Sequence, residues 1–171
     1  MTAFATPIVE AARLILREPR ESDLDATAAF YASDRSRFVG GPVDRTGAWR
    51  FLIGYVGHWV LRGYGFWTVE DRETGAVAGR VGIVHHDGWP EPELCWHIYD
   101  GFEGRGVGTE AVLAARAHAQ GPMGLSPLMS LIDPANARSL ALARRVGAAH
   151  ERDTLHLGAK LGLWRHPAGA A

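Results

Sequence analysis

The sequence predicts a single domain of the α+β class with mixed α/β character: a mixed, mostly antiparallel sheet carrying helices on both faces. Three observations predict it. The chain has 171 residues, 47% of them apolar, which is enough for one sizeable core and short for two. Its first half holds short strand-like runs separated by turn residues, which read as hairpins. Its second half alternates strand-like and helical runs, which read as crossovers.

Arg13-Leu14-Ile15-Leu16-Arg17 reads as the first strand of a domain spanning 13–166, after a loose arm over 1–12. Glu18-Pro19 ends it, because proline cannot donate to a ladder. Ser22 is the expected cap of a helix to about Tyr31, with Asp23 and Asp25 favourable in its first turn. The segment 33–47 is polar and contains glycine, so it reads as a loop; its Arg35, Arg37 and Asp44 either edge a cleft or are solvated charge. Thr46 is the expected cap of a helix from Ala48 to about Arg62. On it Trp49, Leu52, Ile53, Val56 and Val60 recur on one face, with Gly54 and Gly57 implying close packing or a kink.

Phe66 to Glu70 and Ala76 to Val84 read as a hairpin, with Gly79 and Gly82 as bulge candidates. Glu93 to Ile98 is the next strand; Leu94, Trp96 and Ile98 share one face, and Glu93, Cys95 and His97 the other. A helix from Thr109 to about Gln120 is rich in alanine and stopped by Gly121-Pro122. Leu128 to Ile132 is a short strand, and Asn136 caps or nearly starts a helix over Arg138 to Val146 that stops at Gly147. Strands over Ala149 to Leu155 and Lys160 to Arg165 close the domain, leaving 167–171 as a flexible end.

Several functions are disfavoured by the totals. A net charge of −1 with no basic stripe argues against a dedicated nucleic-acid binder. The single cysteine, Cys95, rules out an internal disulfide scaffold and fits a reducing compartment. With no signal-like start and no long apolar run, a soluble, cytoplasmic protein without membrane attachment is expected. The eight histidines are scattered, so no metal site is expected.

The stretch around which the chain is organised is Gly101-Phe102-Glu103-Gly104-Arg105-Gly106-Val107-Gly108-Thr109-Glu110-Ala111. Four glycines in eight residues, between a strand and a helix, make either a plain turn or a cradle of backbone N–H groups for an anion, phosphate above all. The order is not the G-x-G-x-x-G of dinucleotide sites. The mononucleotide loop is excluded too, since the only lysine in the chain is Lys160.

Four segments in this order resemble the GNAT acyl-CoA-dependent N-acetyltransferases, and among them the branch of ribosomal-protein N-terminal acetyltransferases. They are Arg13 to Arg17 followed by Asp23; Glu93-Leu94-Cys95-Trp96-His97-Ile98; the glycine turn through Ala111; and Asp133-Pro134-Ala135-Asn136-Ala137-Arg138-Ser139 leading to Arg145-Val146-Gly147. The resemblance implies the family's fold and acetyl-CoA as cosubstrate, with no metal. It implies that Glu103, Gly104, Arg105, Gly106, Val107, Gly108 and Thr109 surround the pyrophosphate. Glu103 would act through its backbone alone, because a carboxylate beside a polyphosphate is unfavourable, and Arg105 is an electrostatic candidate. By the same resemblance the Ile98 backbone meets the pantetheine arm, and Asn136 contacts it unless it serves only as a cap. Ser139 contacts cofactor or leaving thiol unless it is an ordinary first-turn serine. Many relatives carry a tyrosine acid four residues before the glycine of the last helix; here that position is Ala143, and the aromatic usual after the glycine is Ala148.

Amine attack on a thioester needs a base with a pKa near neutrality. Glu93 is the first candidate, against the alternative of an exposed carboxylate at a strand entry. His97 is the second, against a satisfied polar residue under the helix layer. Cys95 reads as a core residue rather than an acyl carrier. The acceptor implied by the branch is a peptide or protein N-terminal amine; small amines, antibiotic-type amines and a non-catalytic CoA-binding sensor are the alternatives. The family also implies a homodimer.

Overall fold

In the computed structural model, which describes residues 5–169, alternation of apolar and polar residues builds one eight-stranded sheet. The strands are β1 (Val9–Glu10), β2 (Leu14–Arg17), β3 (Phe66–Asp71), β4 (Val77–Val84), β5 (Glu93–Ile98), β6 (Met129–Ile132), β7 (Ala149–His156) and β8 (Ala159–Arg165). Their spatial order is β1-β2-β3-β4-β5-β6-β8-β7. Every neighbouring pair is antiparallel except β5 with β6. That parallel pair shares a single rung, Glu93 opposite Met129, after which the strands diverge.

The helices are α1 (Leu24–Ala32), α2 (Arg45–Arg62), α3 (Val107–Gln120) and α4 (Ala137–Arg145). Ala111, Val112, Ala115 and Ala119 of α3 pack with Val69, Val81, Ile83 and Leu94 in the main core. Phe30 and Tyr31 of α1 and Ala48 of α2 form a second core with Tyr99 on the opposite face. The sheet is thus mixed, mostly antiparallel and covered on both sides, as the element order predicts. Val9 and Glu10, within the segment expected to be a loose arm, pair with Leu16 and Ile15. Residues 1–4 of that arm and 170–171 of the expected flexible end lie outside the described residues.

Several local expectations are corrected. Ser22 is no cap: it sits inside a 3-10 turn, Glu21–Asp23, that leads into α1. Asp23 is a buried ion-pair partner, accepting from Arg17 at 2.8 and 3.0 Å, from the Arg20 N–H at 2.9 Å and from the Thr68 hydroxyl at 2.7 Å. Burial alone would raise its carboxyl; those hydrogen bonds hold it below the ordinary range. The segment 33–47 contains a 3-10 helix, Asp34–Phe38, and the cap of α2 is Asp44, which accepts from the Gly47 N–H at 2.8 Å, rather than Thr46. Short polar side chains compete for caps, and the one three residues before an unpaired N–H wins.

The apolar stripe of α2 is corrected as well. Leu52 is buried with Ala48 and Trp59, but Trp49, Ile53, Val56 and Val60 remain 37 to 59% exposed. A Cβ added at Gly54 or Gly57 would meet nothing within 4 Å, so these glycines mark no packing contact, and the helix runs through them unbroken. Gly79 does sit at a bulge, where the β3–β4 register slips between Val69 and Glu70. Gly82 does not; it lets β4 approach β3, since a Cβ there would lie 2.2 Å from the Gly65 carbonyl.

Candidate active site

Divergence of β5 and β6 leaves backbone groups without a ladder, and this builds the site. Pro92 O accepts from the Met129 N–H at 3.3 Å, and Leu94 O from the Ser130 hydroxyl at 2.6 Å. Even-numbered residues of β5 therefore point their backbone toward β6. By the two-residue period Trp96 and Ile98 present theirs to the opening gap. A cleft of about 760 Å³ occupies that gap. Its walls include Trp96, His97 and Ile98 of β5, the glycine turn, the first two turns of α4, and the 3-10 helix Asp34–Phe38.

The glycine turn delivers backbone rather than side chains. Gly104 and Gly106 have φ of 72° and 79°, the left-handed region that glycine enters without strain. Gly106 is the residue before α3, and no side chain caps that helix. The Glu110 N–H closes the first helical bond on Gly106 O, so the N–H groups of Val107, Gly108 and Thr109 precede the ladder. The Thr109 hydroxyl is buried beside the cleft with no protein partner among the described residues. Together these form an anion site of helix-terminus type.

Most of the residues singled out by sequence converge here: His97, Ile98, Glu103, Gly104, Gly106, Gly108, Thr109, Asn136 and Ser139 all line the cleft. Val107 instead turns its side chain into the core. The Arg105 guanidinium points away, donating to Gly101 O at 3.2 Å, while Arg105 O accepts from Arg13. Glu103 points not at the anion site alone but at Arg35, 2.9 Å away. Arg35 also pairs with Asp100 and donates to Ile98 O at 2.9 Å, so a cation from the far side of the cleft neutralises the awkward carboxylate. Asn136 does cap α4, accepting from the Ser139 N–H at 3.2 Å; its amide Nδ2 is not used by that cap.

Arg35 and Arg37 do edge the cleft, the first of the two alternatives the sequence left open, but the positive lining from α4 was not foreseen. Arg138 and Arg145 of α4 face the cleft opposite Arg35 and Arg37. The signal was present: Arg138, Leu142 and Arg145 follow i, i+4, i+7 spacing, which places them on one face of a helix. Ala143, at the position of the family's tyrosine, is fully buried against Ile132, Ala148 and Trp164 and offers no acid.

Glu93 lies below the cleft at the apex of the diverging strands rather than at its surface. It is 5% exposed, Oε1 accepts from the Leu131 N–H at 2.9 Å, and Oε2 is buried without a protein partner among the described residues. Burial pushes its carboxyl up to about 7 against the lowering effect of the Leu131 N–H and the Cys95 thiol. The same burial, with Glu93 beside it, pushes the Cys95 thiol well up, so Cys95 stays an uncharged thiol. His97 shares this face of β5, about 13 Å along the strand from Glu93. Burial, and then the nearby Arg80, hold its imidazole well below its ordinary value, so it is neutral. Arg80 is itself buried, donating to the Tyr99 hydroxyl with its guanidinium 4.1 Å from the Tyr55 ring centroid.

Among the described residues no group of three or more histidine, cysteine or acidic side chains could hold a metal, and no helix is long and apolar enough to cross a membrane.

Comparison with known proteins places this geometry. The GNAT acetyltransferase domain profile matches residues 13–149. An acetyltransferase from Agrobacterium tumefaciens is 34% identical, with 98% of each chain covered and a TM-score of 0.88. A protein from Bordetella pertussis described as a GNAT-family acetyltransferase is 25% identical over 95% of this chain and 100% of that one, with a TM-score of 0.80. The ribosomal L7/L12 α-N-protein acetyltransferase RimL, in complex with coenzyme A, shares the fold at 16% identity, with 95% and 98% covered and a TM-score of 0.78. This chain belongs to the GNAT family of acetyltransferases, which move acetyl from acetyl-CoA to an amine.

Proposed function

We propose that this N-acetyltransferase acts on the α-amino group of a peptide or protein N-terminus. The observation that carries the reading is the lining of the cleft away from the glycine turn, where Phe30, Phe38 and Val39 give apolar wall and Asp34 a carboxylate for an incoming ammonium. A chain end suits that lining, because its side chains can lie along apolar wall while its charged terminus meets the carboxylate. The likeness in fold to RimL, whose name states α-N-acetylation of a ribosomal protein, supports the same acceptor class.

The residues present fit coenzyme A. The uncapped first turn of α3, the buried Thr109 hydroxyl and the glycines without Cβ suit a pyrophosphate, and Arg37, Arg138 and Arg145 supply positive charge around it, Arg35 being already paired with Asp100 and Glu103. When bound, acetyl-CoA supplies the thioester carbonyl and the thiol leaving group. The backbone N–H groups of Trp96 and Ile98 are placed to polarise that carbonyl as negative charge develops on its oxygen. The Asn136 amide Nδ2 and the Ser139 hydroxyl orient the arm from the α4 side, and Ser139 is the protein donor nearest in role to the missing tyrosine. Glu93, with its carboxyl near neutrality, is the base we assign to the ammonium proton; because it does not itself line the cleft, the proton reaches it through intervening water.

The test is thiol release from acetyl-CoA with peptides bearing free or blocked N-termini, set beside small amines and aminoglycosides. Free-terminus peptides should turn over at least about tenfold faster per molar than the other classes. Faster turnover of a small amine moves the acceptor class, and saturable cofactor binding without any turnover favours the sensor.

A further inference from the structure

Behind the acceptor wall lies a buried cation that the transfer reaction does not use. Arg17, Thr68, Arg80 and His97 stand in one cross-strand row of β2, β3, β4 and β5. The two arginines of that row differ in their company. Arg17 is paired with Asp23 and Glu70. Arg80, only 3% exposed, has no carboxylate partner among the described residues. Its Nη2 donates to the Tyr99 hydroxyl, and its Nε is buried with no protein partner among them.

Aromatic rings surround this charge without cancelling it. The ring centroids of Tyr55, Tyr31 and Tyr99 lie 4.1, 5.2 and 5.6 Å from the guanidinium carbon. Ring faces attract a cation through their quadrupoles but bring no countercharge. Burial pushes the Tyr31 and Tyr55 hydroxyls above the ordinary tyrosine range, so neither ionises to pair with it. An arginine cannot escape by giving up its proton, and a buried charge left uncompensated is costly.

The cavity beside Arg80 is the size of one small partner. It measures about 10 Å³ and has Thr27, Tyr55, Thr68 and Tyr99 in its walls. That admits a single water-sized occupant and excludes an oxyanion such as acetate or phosphate. The Thr27 and Tyr99 oxygens lie 3.3 Å apart and share one hydrogen bond, which leaves the second hydroxyl proton to donate. Thr68 gives its own proton to Asp23. The walls therefore offer a guanidinium and a hydroxyl proton, and no carboxylate. Water would take those hydrogen bonds but leave the charge as it is. A halide takes them and neutralises it, and chloride is the halide abundant in biological solutions.

We infer that this cavity is a binding site for a single chloride ion, held by the Arg80 guanidinium and the Thr27–Tyr99 hydroxyl pair. The ion ties α1 to β4 and to Tyr99 just beyond β5. Tyr99 stacks on Phe30 at 4.9 Å and Phe30 lines the cleft, so the bound ion stiffens the acceptor wall from behind. It stands apart from the groups assigned to acetyl-CoA, since neither Arg80 nor Thr27 lines the cleft.

Thermal unfolding of the full chain in sodium chloride, with sodium gluconate holding ionic strength constant, tests the site. No turnover is involved, so the result is independent of the acceptor class. Above the dissociation constant the unfolding temperature should rise by at least about 5 °C for a hundredfold increase in chloride. Arg80→Met, which keeps bulk without charge, should unfold at the same temperature in both salts. Thr27→Val, which keeps the shape and removes a hydroxyl, should weaken chloride binding about tenfold. Far-UV circular dichroism checks folding, and Thr27→Val carries the test alone if Arg80→Met is unfolded. A wild type that unfolds at one temperature in both salts overturns the proposal. So does a chloride effect that survives Arg80→Met, or one that Thr27→Val leaves unchanged, since either marks a general salt effect or an adventitious ion only.

Discussion

Glu93, the base we propose, would serve chemistry at a cost in stability. Its pKa rises on folding from an ordinary 4.5 to about 7, chiefly through burial. Between those values the folded chain holds a proton that the unfolded chain has released. Stability therefore falls as pH rises through that window, and above pH 7 the ionised group costs on the order of 3 kcal/mol. Glu93→Gln keeps an acceptor for the Leu131 N–H but cannot ionise. At pH 8 the variant should unfold at a higher temperature than wild type while its turnover falls at least about a hundredfold, the size of a lost general base. Its affinity for coenzyme A, read by calorimetry, should stay within about twofold of wild type. Wild-type activity should rise across pH 7 and that limb should vanish in the variant; an unchanged pH profile would remove Glu93 from the proton path. The type of residue was legible in the sequence, but its depth was not. Alternation along β5 gives its face, whereas the Leu131 N–H that fixes it comes from a strand 38 residues later.

At the level of elements, the turn into α3 was the most legible part of the site, because glycine content reports local backbone directly. Gly106, at φ 79°, is the position where this matters most. Gly106→Ala adds left-handed strain of about 1 to 2 kcal/mol and a methyl 3.2 Å from the Arg13 guanidinium. The same strain at Gly63, φ 75° at the C-terminal end of α2, provides the control. Both variants should lose similar thermal stability, but only Gly106→Ala should weaken coenzyme A binding, by about tenfold. Equal affinities in the two variants would mean that the turn does not hold the cofactor. Pairings between distant segments were not legible. Arg35 and Glu103 meet across 68 positions, and no local pattern announces that a loop arginine will neutralise a phosphate-loop acid. The α2 stripe failed for a different reason. Periodicity gives a common face for Trp49, Ile53, Val56 and Val60 but does not say what that face meets, and Leu52 belongs to a neighbouring line.

Across the whole molecule, the fold class followed from element order because hairpins and crossovers admit few sheet arrangements. What that order did not contain was how few backbone bonds join the sheet at its centre. On one side of the gap stand β1 to β5 with α3; on the other stand β6, β8, β7 and α4. Among the described residues β5 and β6 share the Glu93–Met129 rung, the Ser130–Leu94 hydrogen bond and the Glu93–Leu131 contact, while the core of α3 with Leu128, Leu142 and Val146 and the Arg165–Glu91 pair tie the two sides together below the cleft. A ligand lying between Gly104–Thr109 and Asn136–Arg145 touches both sides, so it acts as the missing stretch of sheet. Hydrogen exchange should therefore slow in β6 and α4 when coenzyme A binds, well beyond the residues that touch it, and by more than in β2 or β3. Protection confined to the glycine turn would show that the two halves already move as one. If exchange slows across both sides in this way, the divergence that opens the active site makes the cosubstrate a strut between them, withdrawn and replaced at each turnover.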